Sequence, residues 1–346
     1  MTRSYATHEH PLWRRLLLTR ETAVIALLVV VWLWSNVSVP NFSGPLTIQF
    51  LLLDVAPILL IALPMTLVIV TGEIDLSVAS VVGLSSVLLG TLHQHGWSIP
   101  TAALAALVVG LVCGLLNGFL VAYVGLPSLA VTIGTLALYR GLAVGILGTT
   151  AVTDFPLKWT NLAQQGLAGN RIPYVMIPFT ILVVLFAAAL HFTSFGRGIF
   201  DIGLNDEAAH FSGVDVARSK LVTFALTGVV SAFAGIDYTL RFGSARGDNA
   251  TGLELQVIAA VLLGGVSIFG GRGALHGVIA GVLLIGVISS ALRLENVTVN
   301  VINIIIGLLL VLSVMSTSLL SWVTKVRRGA GTRRRHPGAD ARRATA

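Results

Sequence analysis

LTIQFLLLDVAPILLIALPMTLVIV, residues 46–70, is an apolar run of 25 residues in which Asp54 is the single charge. A helix crosses a hydrocarbon core of about 30 Å with roughly 20 apolar residues, so this stretch assigns its surroundings to lipid. Runs of comparable character lie on either side, at 22–39, 74–92, 99–124, 128–149, 173–192, 221–240, 254–269, 274–292 and 298–322. With 46–70 they make ten. Pro57 and Pro64 in the second run and the shortness of the eighth leave a broken or re-entrant helix open at those places. The expected fold class is an all-α polytopic membrane protein of about ten transmembrane helices.

Composition agrees with this reading. The 346 residues are 55% hydrophobic and 11% charged, with a mean hydropathy of +0.90, where a soluble domain carries roughly 25% charged residues. That excludes an ordinary cytoplasmic enzyme, a disordered tail protein and a nucleic-acid binder, in spite of a net charge of +7. The lone cysteine, Cys113, excludes a disulfide framework and a Cys-rich metal site.

An even number of spans puts both termini on one side, and the ends carry Arg3, Arg14, Arg15 and Arg20 and then Lys325, Arg327, Arg328, Arg333, Arg334, Arg335, Arg342 and Arg343. Positive charge near span ends stays on the cytoplasmic side, so both termini are expected there. The segment 193–220, with Arg197, Arg218 and Lys220, joins them, and the other face keeps Lys158, Arg171, Arg241, Arg246 and Arg293. The first run contains Trp32 and Trp34 and ends without a small-x-small cleavage pattern, so it reads as a retained span. The chain divides into a cytoplasmic segment at 1–21, a transmembrane domain at 22–322 and a basic, disordered cytoplasmic tail at 323–346, whose arginines serve topology and a lipid surface.

GEIDLSVASVVGLSSVLLG at 72–90 and GLELQVIAAVLLGGVSIFGG at 252–271 resemble each other, each a Gly followed by an acidic residue, a Leu and a helix rich in small residues. Five spans per half would invert the second copy, giving two inverted five-helix repeats with Asp75 at the cytoplasmic side and Glu254 at the outer side. Repeats of this kind enclose transport pathways. Gly110, Gly114 and Gly118, and again Gly273, Gly277 and Gly281, recur at the spacing that lets helices in lipid approach closely.

Charges within or beside spans are Asp54, Glu73, Asp75, Asp237, Glu254 and Arg140. Each needs a partner or water, since an isolated one costs roughly 2.5–3.5 kcal/mol at the centre of an inserted helix. A proton relay is one reading. The preferred one places Glu73, Asp75 and Glu254 at span ends, where a carboxylate meets the free N–H groups of a helix start. Arg140 is expected to pair with one of these carboxylates or to lie near the interface. His93 and His95 have a metal-ligating spacing without companions, which favours a solvated loop. GGVSIFGGRGALHG at 264–277 is Gly-rich, yet no lysine in the chain follows a glycine, so a Walker A loop is absent.

The longest polar stretch between spans is FTSFGRGIFDIGLNDEAAHFSGVDVARSKL at 192–221. NDEAAHF reads as a short helix with Asn205 or Asp206 as its N-cap and Glu207 in its first turn. Such a helix, pinned between two spans, is a natural lever.

Together GEIDLSVASVVGLSS at 72–86, GRGIFDIGLNDEAAHFSGV at 196–214 and GLELQVIAAVLLGGVSIFGGRG at 252–273, supported by LLNGFLVAYVGLPSLAVTIGTLALYRG at 115–141, resemble the permease subunits of bacterial ABC importers for monosaccharides, the group that includes ribose, rhamnose and autoinducer-2 permeases. The resemblance covers about 20–322 and leaves out the basic tail. It implies a bacterial inner-membrane protein that pairs with a second permease, identical or related. It further implies cytoplasmic ATPase subunits that use the ATP, and an outer sugar-binding protein that delivers substrate. No cofactor, catalytic residue or metal is implied in this chain. Arg197, Gly203, Asn205, Glu207, Ala208, Ala209 and Gly213 carry over as the segment that docks on the ATPase, although the family often has two glycines where this chain has Gly203 and Leu204. Asp75, Asn117, Thr132, Thr135, Glu254 and Asn303 are candidates for lining the path with hydrogen-bonding groups. The expected substrate is a pentose or deoxyhexose such as ribose or rhamnose. Autoinducer 2 is the first alternative and a proton-coupled secondary transporter the second.

Overall fold

The computed structural model describes residues 19–312 and Met315, so the tail at 323–346 and all but the last residues of 1–21 lie outside the described part. Helix α1 (Arg20–Ser38) starts at Thr19, whose hydroxyl accepts from the Thr22 N–H. Helix α2 (Pro45–Val70) is the central post: Leu60, Ile61, Leu63, Met65, Leu67 and Val68 are fully buried. Helices α3 (Val78–Gln94), α4 (Ile99–Ala122) and α5 (Ser128–Leu147) follow. A short helix α6 (Leu157–Gln164) leads into a turn whose Gly166 and Leu167 pair with Pro173 and Ile172. Next come α7 (Met176–Phe192), α8 (Ser194–Leu204), α9 (Asp206–Phe211) and the long α10 (Val216–Phe242). The series closes with α11 (Leu253–Leu263), α12 (Leu275–Leu294) and α13 (Val299–Leu312).

Two groups of helices meet along α2 and α10, which pack on each other. Helices α3 and α4 surround α10, with α5 packed on α3; α7, α11 and α12 surround α2, with α1 packed on α12. The chain is a polytopic, predominantly helical membrane protein.

Each of the ten apolar runs holds a helix, and among the described residues six helices are long and apolar enough to cross a membrane: α1, α2, α4, α5, α10 and α12. Helices α7 and α8 meet that test only together, bent by 71°. Helices α3 and α11 stop short for local reasons. Helix α3 has 17 residues because 73–77 is held in a non-helical turn. Helix α11 has 11 residues because Gly265 adopts φ +98° and Gly264 is pressed against the Gly277 carbonyl, where a Cβ would come within 2.6 Å. The region expected as a polar loop at 193–220 is α8, α9 and the first turn of α10.

The prolines do not break α2, which runs continuously through Pro57 and Pro64. A proline lacks the N–H that would bond the carbonyl four residues earlier, and for Pro57 that carbonyl belongs to Leu53. Arg241 Nη1, from the end of α10, donates to it instead. A neighbouring helix thus satisfies the freed acceptor, as lipid-embedded helices require.

Gly110, Gly114 and Gly118 form the seam between α4 and α10, as their spacing led one to expect. A Cβ at Gly110 would stand 2.6 Å from the Gly228 carbonyl oxygen, one at Gly114 would stand 2.4 Å from that of Phe224, and one at Gly228 would stand 2.2 Å from that of Gly110. Backbone meets backbone here, and dispersion between the close chains holds the helices where burial from water no longer can. Gly277 and Gly281 bring α12 onto the end of α11 in the same way.

Candidate functional site

The segment α8–α9 has two unlike faces. Ile199, Ile202 and Ala209 are buried in the bundle, while Arg197, Leu204, Asn205, Glu207, Ala208 and Phe211 are exposed. Thr193 caps α8 through the Gly196 N–H. The N-cap of α9 is Asn205, whose Oδ1 accepts from the Ala208 N–H at 2.8 Å, and Asp206 and Glu207 stand in the first turn, where negative charge complements the helix dipole. Gly213, φ +91°, turns the chain out of α9 with its N–H on the His210 carbonyl. Gly203 is the tightest point. A Cβ there would lie 1.9 Å from the Val70 carbonyl oxygen and 2.3 Å from the Gly271 nitrogen. Gly271 itself donates to that Val70 carbonyl at 2.8 Å. The segment is therefore wedged at the end of α2, beside the turn that joins α11 to α12.

Lys220, one turn into α10, donates to Glu73 Oε1 at 2.6 Å and to Asp206 Oδ2 at 2.5 Å. The sequence had offered Glu73 as a span-end charge and counted Lys220 only towards topology. The structure brings the two together with the first residue of α9.

Asp75 sits just before α3 and accepts on Oδ1 from the Ser77 N–H (2.9 Å) and the Ser77 hydroxyl (2.7 Å). It closes a turn ahead of the helix and does not cap α3 itself, which refines the capping expectation. Ser77 Oγ in turn accepts from Asn117 Nδ2 at 2.8 Å, and Asn117 Oδ1 accepts from the Tyr139 hydroxyl at 3.2 Å. Thr132 donates to the Ile74 carbonyl at 3.1 Å and Ser128 accepts from the Ile74 N–H at 3.2 Å. Thr135 is buried one turn further along α5. Four of the six path candidates, Asp75, Asn117, Thr132 and Thr135, are thus gathered around the 73–77 turn. Glu254 stands apart, in the first turn of α11 with no side-chain cap bond made there, and Asn303 is exposed on α13, on a pocket of about 220 Å³ shared with Thr251, Leu255 and Gln256. Ser77, Tyr139 and Lys220 complete the arrangement. No motif singles them out: Tyr139 is a polar side chain in a largely apolar helix, Ser77 stands at the start of α3 and Lys220 in the basic first turns of α10.

Arg140 does not pair with a carboxylate. Its Nη1 donates to the carbonyls of Gly247 (2.7 Å) and Asn249 (2.8 Å) and its Nη2 to that of Ala79 (3.0 Å). One guanidinium ties α5 to α3 and to the 243–252 segment, its fork of donors matched by three carbonyls. Arg140→Leu is expected to destabilise the protein by about 3 kcal/mol by stranding these acceptors, read as a lowered Tm of the detergent-purified chain, with Arg140→Lys recovering part of the loss.

At the other end of α10, 21 residues and about 30 Å from Lys220 at 1.5 Å per residue, Asp54 pairs with Arg241 and with Arg293 Nη1 at 2.5 Å. Gln49 donates to the Gln164 carbonyl, and Gln164 to that of Arg241, beside a pocket of about 410 Å³. Nearby, the exposed Arg246 holds the Asp248 carboxyl below its usual range through two hydrogen bonds, of 2.9 and 3.0 Å. Asp237 has a buried Oδ2 without a hydrogen-bond partner among the described residues. His93 and His95 turn their Nδ1 atoms to the carbonyls of Trp97 and Thr91, and no group of three or more potential metal ligands occurs among the described residues.

A family model, Branched-chain amino acid transport system / permease component, matches residues 47–314. The Autoinducer 2 import system permease protein LsrD of Yersinia enterocolitica is 38% identical over 266 residues, covering 75% of this chain and 80% of that protein. Its counterpart in Photorhabdus temperata is 35% identical over 305 residues, 86% of this chain and 91% of that protein. That of Klebsiella pneumoniae is 35% identical over 311 residues, 88% of this chain and 93% of that protein. No solved structure matches the chain. The matched region takes in the 73–77 turn, the α8–α9 segment and the glycine seam alike, and the chain belongs to this family of permease subunits of ABC importers.

Proposed function

We propose that this chain is a transmembrane subunit of an ATP-driven importer of autoinducer 2. The observation that carries this reading is that relatives 35–38% identical over 75–88% of this chain bear that name. It supports the alternative named from the sequence above the pentose or deoxyhexose first expected. In this reading an outer binding protein delivers the substrate, a second permease completes the pathway and a cytoplasmic ATPase subunit holds the ATP. Both termini are cytoplasmic, and the ten runs form two inverted sets of five spans, with α3 and α11 crossing only part of the bilayer.

The segment 193–220 is the ATPase contact in this proposal. Arg197, Asn205, Glu207 and Ala208 face the partner, Ala209 anchors the segment, and Gly203 and Gly213 permit its close seating and exit. The two-faced burial of α8–α9 supports this assignment. ATP-driven closure of the partner moves a rigid, bundle-anchored element, and the helices rock between outward and inward openings.

The test of substrate is depletion of autoinducer 2 from the medium by cells carrying or lacking this chain, beside uptake of labelled ribose and rhamnose. Loss of autoinducer 2 depletion alone is expected on deletion; loss of ribose or rhamnose uptake alone would return the substrate to the sugars. For the contact, the double variant Arg197→Ala, Glu207→Ala is expected to lose the co-purifying ATPase and all ATP-linked uptake. Uptake that persists with no ATPase present would sink the proposal.

A further inference from the structure

We propose that Lys220 is the positioning residue that carries movement of the ATPase-contact helix α9 to the 73–77 turn inside the bundle. The inference rests on the reading of α8–α9 as the ATPase contact. Its ground is the double ion pair: one ammonium group reaches Glu73 at 2.6 Å and Asp206 at 2.5 Å, and these carboxylates belong to segments 133 residues apart (206 − 73). Lys220 and Glu73 are mostly shielded, with side chains 11% and 16% exposed, while Asp206 is 47% exposed at the surface that α9 presents.

The chemistry suits transmission. Charged hydrogen bonds away from water are stiff and stronger than neutral ones, so Asp206, Lys220 and Glu73 move as a unit. Glu73 adjoins Ile74, whose backbone N–H and carbonyl are held by Ser128 and Thr132 of α5. Displacement of α9 therefore reaches α5 through one lysine and one peptide unit. The contact of Gly203 with Val70 is a second point of touch, but it is steric and resists only compression. The ion pairs resist separation as well.

The test uses the permease purified with its own ATPase, with Cys113→Ala and Ile74→Cys introduced so that one thiol reports on the turn. Its rate of maleimide labelling is measured without nucleotide and with ATP trapped by vanadate. With Lys220 present the two rates are expected to differ about fivefold or more. In complexes matched for co-purified ATPase, Lys220→Met is expected to erase that difference and Lys220→Arg to retain it. Because Lys220→Met leaves the shielded Glu73 carboxylate unpaired, the neutral triple variant Glu73→Gln, Lys220→Met, Asp206→Asn is measured beside it and is expected to fold and to lose the response. A triple variant that keeps the ATP-dependent labelling overturns the role of Lys220. Failure of the ATPase to co-purify even with Lys220 and α9 intact would instead overturn the ATPase-contact reading.

Discussion

Gly228→Ala is expected to cost the folded protein about 3 kcal/mol, at the upper end of what overpacking usually takes, whereas Gly134→Ala is expected to cost nothing and to gain up to about 1 kcal/mol from the stiffer helix backbone. The substitution is chemically identical and both sites are helical. At Gly228 the added methyl would stand 2.2 Å from the Gly110 carbonyl oxygen and 2.8 Å from the Gly114 nitrogen, so α4 and α10 must part along their whole seam. The obstructing atoms are backbone and have no rotamer to change. At Gly134, on α5, nothing lies within 4 Å. Parting the seam also draws α4, with Asn117, away from Ser77 on α3, so the hydrogen bond at 2.8 Å is lost with the packing. Thermal unfolding of both variants in the same detergent decides the matter. Equal Tm values would mean that the glycine seam does not bear the contact described.

The seam was legible in the sequence because spacing alone specifies it: residues four apart lie on one helix face, and in lipid a stripe of glycines has packing as its ready use. The apolar runs were legible for the same reason, and a helix occupies each. Their ends were not. Whether a helix stops at Leu263 or continues to 269 depends on Gly264 meeting Gly277, a contact between residues that the repeat pattern could not relate. The ion pairs escaped for a kindred reason. Lys220 and Glu73 are 147 residues apart, and each had an adequate local explanation, as a topology charge and a span-end acid. Arg140 was expected beside a carboxylate or near the interface because a pattern of charges suggests only charged partners, whereas its acceptors are three backbone carbonyls. Of the path candidates, Asp75, Asn117, Thr132 and Thr135 proved to be neighbours because polar groups within spans seek one another, while Glu254 and Asn303 belong to other surfaces.

Arg241→Leu is expected to destabilise the protein by about 3 kcal/mol, and Pro57→Ala is expected to return about 1 kcal/mol of that loss. Arg241 serves two acceptors on α2. Asp54 keeps Arg293 at 2.5 Å when Arg241 is removed, and its side chain is 29% exposed, which holds this part of the loss to the low end for a broken pair. The Leu53 carbonyl has no such reserve. Leu53 is 2% exposed, and the residue four positions on is a proline with no N–H to offer. Restoring that N–H with Pro57→Ala supplies the helix's own donor, so the Arg241→Leu loss should be smaller in the Pro57→Ala background than in the native one. Measured as a double-mutant cycle, the two changes should couple by about 1 kcal/mol, well above the few tenths expected of independent sites. The sign matters more than the size: coupling requires that the proline and the arginine share one carbonyl. A cycle with no coupling would mean that α2 tolerates Pro57 without help from α10, and the continuity of the central helix would then need another cause.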